Sequence, residues 1–314
     1  MFRLRWISAP VLGMLAVGVL PAMGAEGRLR FVFITCCRDE AFFGPLKQGM
    51  RDAARAMDVD CEFTGTPGVD VAAQAALVRK AVAQGYQGIA LNIIDPVAFD
   101  DVVREARQRG VAVVAFNTDD RRTPNARLAG ICQNYYEAGL ALGRAATFIP
   151  PGSKVLLTQH DRGISALDDR LRGLQDALRE RKMTWKVICS TNEPDRATEI
   201  ISAELKADPQ IHFVLGTGLT DTEAAGHAIE RHFAGKGYAA AGFDLTPEIL
   251  RMLRSGVLRM TVDQQPYAQG FYPVVQLALY CRYGIMPCDL DAGATIVTAR
   301  DVDRLLDLTR MGYR

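Results

Sequence analysis

Leu29-Arg30-Phe31-Val32-Phe33-Ile34-Thr35 is the stretch that decides the fold. It is a short apolar run of the buried-strand type. Phe42, Leu46, Met50, Ala53 and Met57 then recur at three-to-four spacing, which predicts a helix. The alternation continues outward. Strands are expected at 59–64, 88–92, 111–116 and 128–132, separated by helical stripes such as Phe99, Val102, Val103 and Ala106. A stripe of Ala138, Ala141, Leu142 and Ala145 follows, then Pro150-Pro151-Gly152-Ser153 breaks the pattern. The rhythm restarts with strands expected at 154–158, 185–190, 211–215, 239–243 and 259–262. Phe271, Val274, Val275 and Ala278 mark a long late helix.

Strands that alternate with helices mean parallel sheets covered on both faces. About ten strands are too many for one comfortable doubly wound sheet of this size. The expected fold class is therefore α/β, with two doubly wound parallel-sheet lobes, and 314 residues leave room for both. A single (β/α)₈ barrel is the alternative. No repeat of 20 to 50 residues is present, which argues against a solenoid.

The first residues read as an address. Met1-Phe2-Arg3-Leu4-Arg5 is positive, Trp6 to Leu20 is almost unbroken apolar sequence, and Ala22-Met23-Gly24 supplies the small residues of a cleavage site. A signal peptide over 1–25 and a periplasmic mature chain are expected. The alternative, a membrane anchor, is disfavoured by the run's length and by Pro10, Gly13 and Gly18. The seven cysteines show no CxxC pair and no zinc spacing. Export permits disulfides, and Cys36 with Cys61 and Cys281 with Cys288 are the candidate pairs.

The 37 basic and 36 acidic residues give a formal net charge of +1 without any charge run. A nucleic-acid partner is excluded by that balance, because it needs a clustered basic face. A small polar ligand suits it. In open parallel sheets, ligands lie beyond the carboxyl ends of the strands. The polar residues just after each expected strand are therefore the candidates. They include Asp39, Asp95, Asn117, Asp119-Asp120, Asn134, His160, Asp221, Asp244 and Gln264. Amides and carboxylates recur there, and these donate to and accept from hydroxyls in fixed geometry. Phe42 and Phe43 can lie flat on an apolar ring face. Plainer alternatives stand beside these readings: an Asx-turn for Asn117, a helix cap for Asp244, core packing for the two phenylalanines, and a surface ion pair for Arg170.

Over nearly all of the mature chain the sequence resembles the type I periplasmic binding proteins, the group of ribose-, galactose- and inositol-binding proteins of ABC sugar transporters. The marks are Ala41-Phe42-Phe43-Gly44-Pro45-Leu46-Lys47-Gln48-Gly49, Val113-Val114-Ala115-Phe116-Asn117-Thr118-Asp119, Gly242-Phe243-Asp244 and Thr261-Val262-Asp263-Gln264-Gln265-Pro266-Tyr267-Ala268-Gln269-Gly270. The resemblance implies two lobes joined by a three-segment hinge that close on the ligand. It places the crossings near 132–134, 263–265 and 287–291. Lobe one then comprises 26–132 and 265–287, and lobe two 133–264 and 288–314. It also implies ligand contacts at Phe42, Phe43, Asn117, Arg170, Asp221, Asp244 and Gln264. Asn117-Thr118 stands where ribose binders carry Asp-Arg, which leaves a sugar-like polar solute rather than ribose.

The expected function is a solute-binding protein, a monomer that delivers its ligand to a membrane permease. The alternative partner is a sensor kinase or chemoreceptor. An enzyme is disfavoured: the four histidines show no HExxH spacing, and there is no GxSxG elbow and no Walker loop. No cofactor and no metal are expected.

Overall fold

A computed structural model describes residues 27–95, 97–119 and 125–314. The expected signal peptide, 1–25, and Asp120 lie outside the described residues.

Lobe one begins with β1 (Arg30–Thr35), α1 (Phe43–Ala56), β2 (Asp60–Gly65), α2 (Val71–Ala83), β3 (Gly88–Leu91), α3 (Asp100–Gln108), β4 (Ala112–Asn117) and β5 (Gly130–Cys132). The chain then crosses to lobe two, with α4 (Tyr135–Ala145), β6 (Lys154–Gln159), α5 (Ser165–Glu180), β7 (Thr184–Cys189), α6 (Pro194–Ala207) and β8 (Ile211–Gly216). It continues with α7 (Leu219–His232), β9 (Ala239–Phe243), α8 (Pro247–Ser255) and β10 (Leu258–Asp263). It returns to lobe one as α9 (Pro266–Tyr283) and β11 (Leu290–Asp291), and ends in lobe two with β12 (Thr295–Val297) and α10 (Val302–Arg310).

Each lobe is built on a six-stranded sheet. The orders are β11-β5-β4-β3-β1-β2 and β12-β10-β9-β8-β6-β7. Every pairing is parallel except β10 with β12. Central strands such as β3 are buried at every residue, while the edge strands β2 and β7 keep exposed positions. That contrast is what helices on both faces of a parallel sheet produce.

Strand pairing locates the three passages between lobes. Two follow β5 and β10. Because Leu290–Asp291 pairs with β5 and Thr295–Val297 with β10, the third runs from Asp291 to Thr295, just past the expected 287–291. The passages are tied together. Gln133 Nε2 donates to the Gly293 carbonyl at 2.6 Å, and Gln265 Nε2 to the Ala292 carbonyl at 2.9 Å.

A helix pair in each lobe packs backbone to backbone. A Cβ on Gly49 of α1 would lie 2.1 Å from the Tyr267 carbonyl oxygen on α9. In lobe two a Cβ on Gly139 of α4 would lie 2.1 Å from the Arg170 carbonyl oxygen on α5. Only glycine allows that approach. In lobe two it seats Arg170 against the first crossing.

None of the expected disulfides is present. Cys61 pairs in register with Phe31 at the start of β1, so it sits five residues back along the strand from Cys36. At about 3.3 Å per residue that is far beyond disulfide reach. Cys281 Sγ instead meets the Gln87 carbonyl and Cys288 Sγ the Gln276 side chain, each at 3.9 Å.

Candidate functional site

The carboxyl ends of both sheets face one cavity of about 310 Å³ between the lobes. Phe42, Phe43, Asn117, Arg170, Asp244 and Gln264, all expected from the sequence, line it together. Further lining comes from Glu40, Asn92 and Thr118 of lobe one, and from Tyr135, His160, Asp161, Asn192, Thr220 and Glu223 of lobe two.

The backbone is bent to make this cavity. Cys37 (φ 49), Asn117 (φ 58), Thr191 (φ 73), Asp244 (φ 77) and Gln265 (φ 54) all adopt left-handed conformations. Each follows or ends a strand on the cleft side. Such a conformation costs an L-residue roughly 1–2 kcal/mol. It is kept where the surrounding structure needs a side chain aimed in one direction.

Lobe one contributes neutral amides. Asn92 Nδ2 donates to Asn117 Oδ1 at 3.0 Å, and Asn117 Nδ2 donates to Gln269 Oε1 at 3.1 Å. Gln269 Nε2 donates to the Gln264 carbonyl at 2.6 Å, and Gln264 Nε2 donates to Asp244 Oδ1. The chain of amides therefore runs from the lobe-one wall across the hinge to a lobe-two carboxylate. Phe43 is buried against Phe63, with Phe42 edge-on to it at 5.2 Å. Phe43 thus serves core and cavity at once, while Phe42 is only half-buried.

Lobe two contributes charge. Arg170 is 3 % exposed, a buried cation rather than a surface one. Its Nε and Nη2 donate to Gln133 Oε1 at 3.1 and 2.8 Å, and Nη1 to the Thr217 carbonyl at 2.9 Å. The guanidinium also lies 4.1 Å from the Phe243 ring centroid. Burial pulls its pKa below the ordinary value against the attraction of Asp244. Burial likewise pushes the Asp244 carboxyl up, while Arg170 and the Gln264 hydrogen bond oppose the rise. Asp244 does not cap α8; Thr246 does, accepting from the Ile249 N–H. Tyr135 is 5 % exposed. Its hydroxyl lies near Thr118 but makes no hydrogen bond of good geometry, so a buried donor is left over in the cavity wall.

The remaining expected residues lie elsewhere. Asp39 has a 74 % exposed side chain and pairs with Arg38. Asp95 accepts from the Val97 and Ala98 N–H groups and shapes the turn before α3. Asp119 is buried in an ion pair with Arg127, both contacts at 2.5 Å. Asn134 caps α4 by accepting from the Glu137 N–H. Asp221 is fully buried behind the wall, where it holds His160. His160 was a candidate only through its place straight after a strand. Tyr135 was not expected and had no sequence signal.

A family model described as the periplasmic binding protein domain matches residues 31–284. The chain belongs to this family. Periplasmic binding proteins bind solutes, in keeping with the expectation of capture rather than catalysis. The chain is 28% identical over 297 residues to the xylose/arabinose-binding protein XylF of Sulfolobus acidocaldarius, covering 90% of this chain and 74% of that one. It is 27% identical to a carbohydrate transporter of Acidothermus cellulolyticus 11B solved with myo-inositol, with a TM-score of 0.83 over 92% of this chain and 100% of that one. The glucose-galactose binding protein GanP of Geobacillus stearothermophilus, at 24% identity and a TM-score of 0.80 over 88% of this chain and 99% of that one, shares the fold. Among the described residues no helix is long and apolar enough to cross a membrane.

Proposed function

We propose that this chain captures a sugar or a similar small polyhydroxylated solute in the periplasm and delivers it, as a monomer, to the permease of an ABC transporter. One observation carries the reading. The cavity is lined by hydrogen-bonding side chains from both lobes, and the buried Tyr135 hydroxyl among them is left without a partner of good geometry. Each hydroxyl of a polyol both donates and accepts, so amides, carboxylates and a phenol satisfy it in pairs. Phe42 and Phe43 supply the apolar contact that a pyranose face or a cyclitol face needs.

Hinge closure follows from the same arrangement. Asn117 stands on one lobe, Arg170 and Asp244 on the other, and Gln264 at a passage between them. A ligand that touches all four favours the closed form by its extra contacts there. The names of the relatives, for xylose, arabinose and inositol, point the same way. Export through a cleaved 1–25 leader is part of the proposal.

A thermal-shift screen against aldopentoses, aldohexoses and cyclitols tests it, with titration calorimetry on the hits. At least one member is expected to raise the melting temperature and bind one to one. If every sugar and cyclitol fails while an amino acid or a nucleobase binds, the reading is wrong.

A further inference from the structure

His160 follows β6 at the cleft end of the lobe-two sheet. Behind it stands Asp221, with no exposed surface. Asp221 Oδ2 accepts from the Thr158 hydroxyl at 2.9 Å and the Thr217 N–H at 2.7 Å. Its Oδ1 accepts from the Gly218 N–H at 2.9 Å and meets His160 Nδ1 at 2.9 Å. The carboxylate acts as acceptor at each contact, so Nδ1 carries a proton and donates. The Cε1 and Nδ1 edge of the ring packs on Gly218, where a Cβ would lie 2.4 Å from Cε1. Nε2 makes no hydrogen bond among the described residues and is the nitrogen available to the cavity that His160 lines.

Several charged or titratable groups share the cavity with that ring or touch its residue. Glu40 and Cys37 come from the loop after β1, Asp161 is next in the chain, Arg170 is on α5, Glu223 is on α7, and Asp244 follows β9, while Asp221 on α7 holds the ring and Cys189 Sγ of β7 lies 3.9 Å from the His160 carbonyl. Burial by itself would strip the ring of its proton. The Asp221 hydrogen bond and charge outweigh it, Glu40 and Asp244 add to them, and the pKa stands above the ordinary value. Dedicated donors are otherwise scarce. Arg170 already gives three of its five hydrogens to Gln133 and Thr217, and the Tyr135 hydroxyl is the other buried donor at hand.

We propose that His160 is a specificity-determining contact whose Nε2–H donates to an oxygen of the captured solute, so that capture is tightest while the imidazole is charged. The proposal rests on the sugar-binding reading and deepens it. The sign follows from the titration. Below the raised pKa the ring is an imidazolium and Nε2 donates. Above it Nε2 is a neutral acceptor, the solute hydroxyl must turn to donate to it, and the charge-assisted bond is lost, so affinity falls as pH rises through that value.

Calorimetry of the full chain with L-arabinose, D-xylose, D-galactose and myo-inositol at pH 6 and pH 9 tests this. Binding of whichever probe is captured should weaken by about tenfold or more over that range. His160→Gln, whose amide donates at every pH, should retain binding and flatten the profile, while His160→Leu should bind weakly throughout. A flat wild-type profile, or the same slope in His160→Gln, overturns the proposal. If none of the four sugars binds, the sugar reading fails separately. The histidine is then judged by ¹⁵N NMR of the ring without ligand. A neutral Nδ1–H tautomer and a midpoint that drops in Asp221→Asn support it; an Nε2–H tautomer or a midpoint at the ordinary value overturns it.

Discussion

The lobe-one wall of the cleft presents neutral amides and aromatic rings, with Glu40 at the rim, whereas the lobe-two wall presents buried charges. Asn92 and Asn117 in lobe one bond to each other, Asn92 also accepts from Cys36 and Asn117 also donates to Gln269, so each keeps a partner when its neighbour moves. In lobe two, Arg170 is locked to Gln133 and Thr217, and His160 is locked to Asp221. Buried charges demand such partners, because leaving one alone costs several kcal/mol. The lobe-two groups therefore hold the fold and line the cavity together. The lobe-one groups line the cavity with a smaller part in holding the fold.

Arg170→Met should give the largest effect and break the comparison if it does not. It removes the donors to Gln133 Oε1 and the Thr217 carbonyl, and takes from Asp244 the cation that most favours its charged form. We expect a loss of roughly 3–5 kcal/mol of stability in urea unfolding. A variant as stable as the parent would mean that lobe two carries no structural charge at the cleft. Asn117→Ala and Asp244→Ala sharpen the contrast at a smaller scale. Each should lose on the order of 1–3 kcal/mol of ligand affinity by calorimetry. Asn117→Ala should unfold within about 1 kcal/mol of the parent, since it deletes one neutral link. Unchanged binding in both would remove these residues from the site.

The same contrast explains what the sequence made legible. Strand ends were readable because buried strands are continuous apolar runs and the first polar residue after each lies at the cleft. Asn117, Asp244 and Gln264 were found that way, Phe42 and Phe43 as aromatics beside the first strand end, and Arg170 through the family resemblance; all six line the cavity. Spacing does not tell whether a strand-end carboxylate faces the gap or backs it. Asp119 turned to Arg127, and Asp221 turned to backbone N–H groups and His160. Both are short acidic side chains beside donors that only the folded backbone assembles. β11 and β12 were missed because two and three residues hold no periodicity. The left-handed conformations at Cys37, Asn117, Asp244 and Gln265 leave no trace in composition. His160 was legible only as a polar residue after a strand, because the buried carboxylate behind it is brought there by the fold and not by spacing.

The smallest expected effect concerns the rim, where the two walls touch directly. Asn192 of lobe two donates from Nδ2 to Glu40 Oε1 of lobe one at 2.6 Å, and the Thr220 hydroxyl steadies it by donating to Asn192 Oδ1 at 2.8 Å. The contact is polar and open to solvent, so water competes for both partners, and a net worth of about 0.5–1.5 kcal/mol is the expectation. Asn192→Ala should therefore shift the closed-to-open ratio by roughly two- to tenfold and weaken ligand capture by the same factor, because the ligand binds tightest to the closed form. Glu40→Gln keeps an acceptor for Asn192 and should shift closure less. Fluorescence transfer between dyes on α2 and α6 reads the ratio without ligand, and calorimetry reads the affinity. If Asn192→Ala changes neither, closure is driven by the cavity walls alone, and the comparison between lobes reduces to the groups that touch the solute.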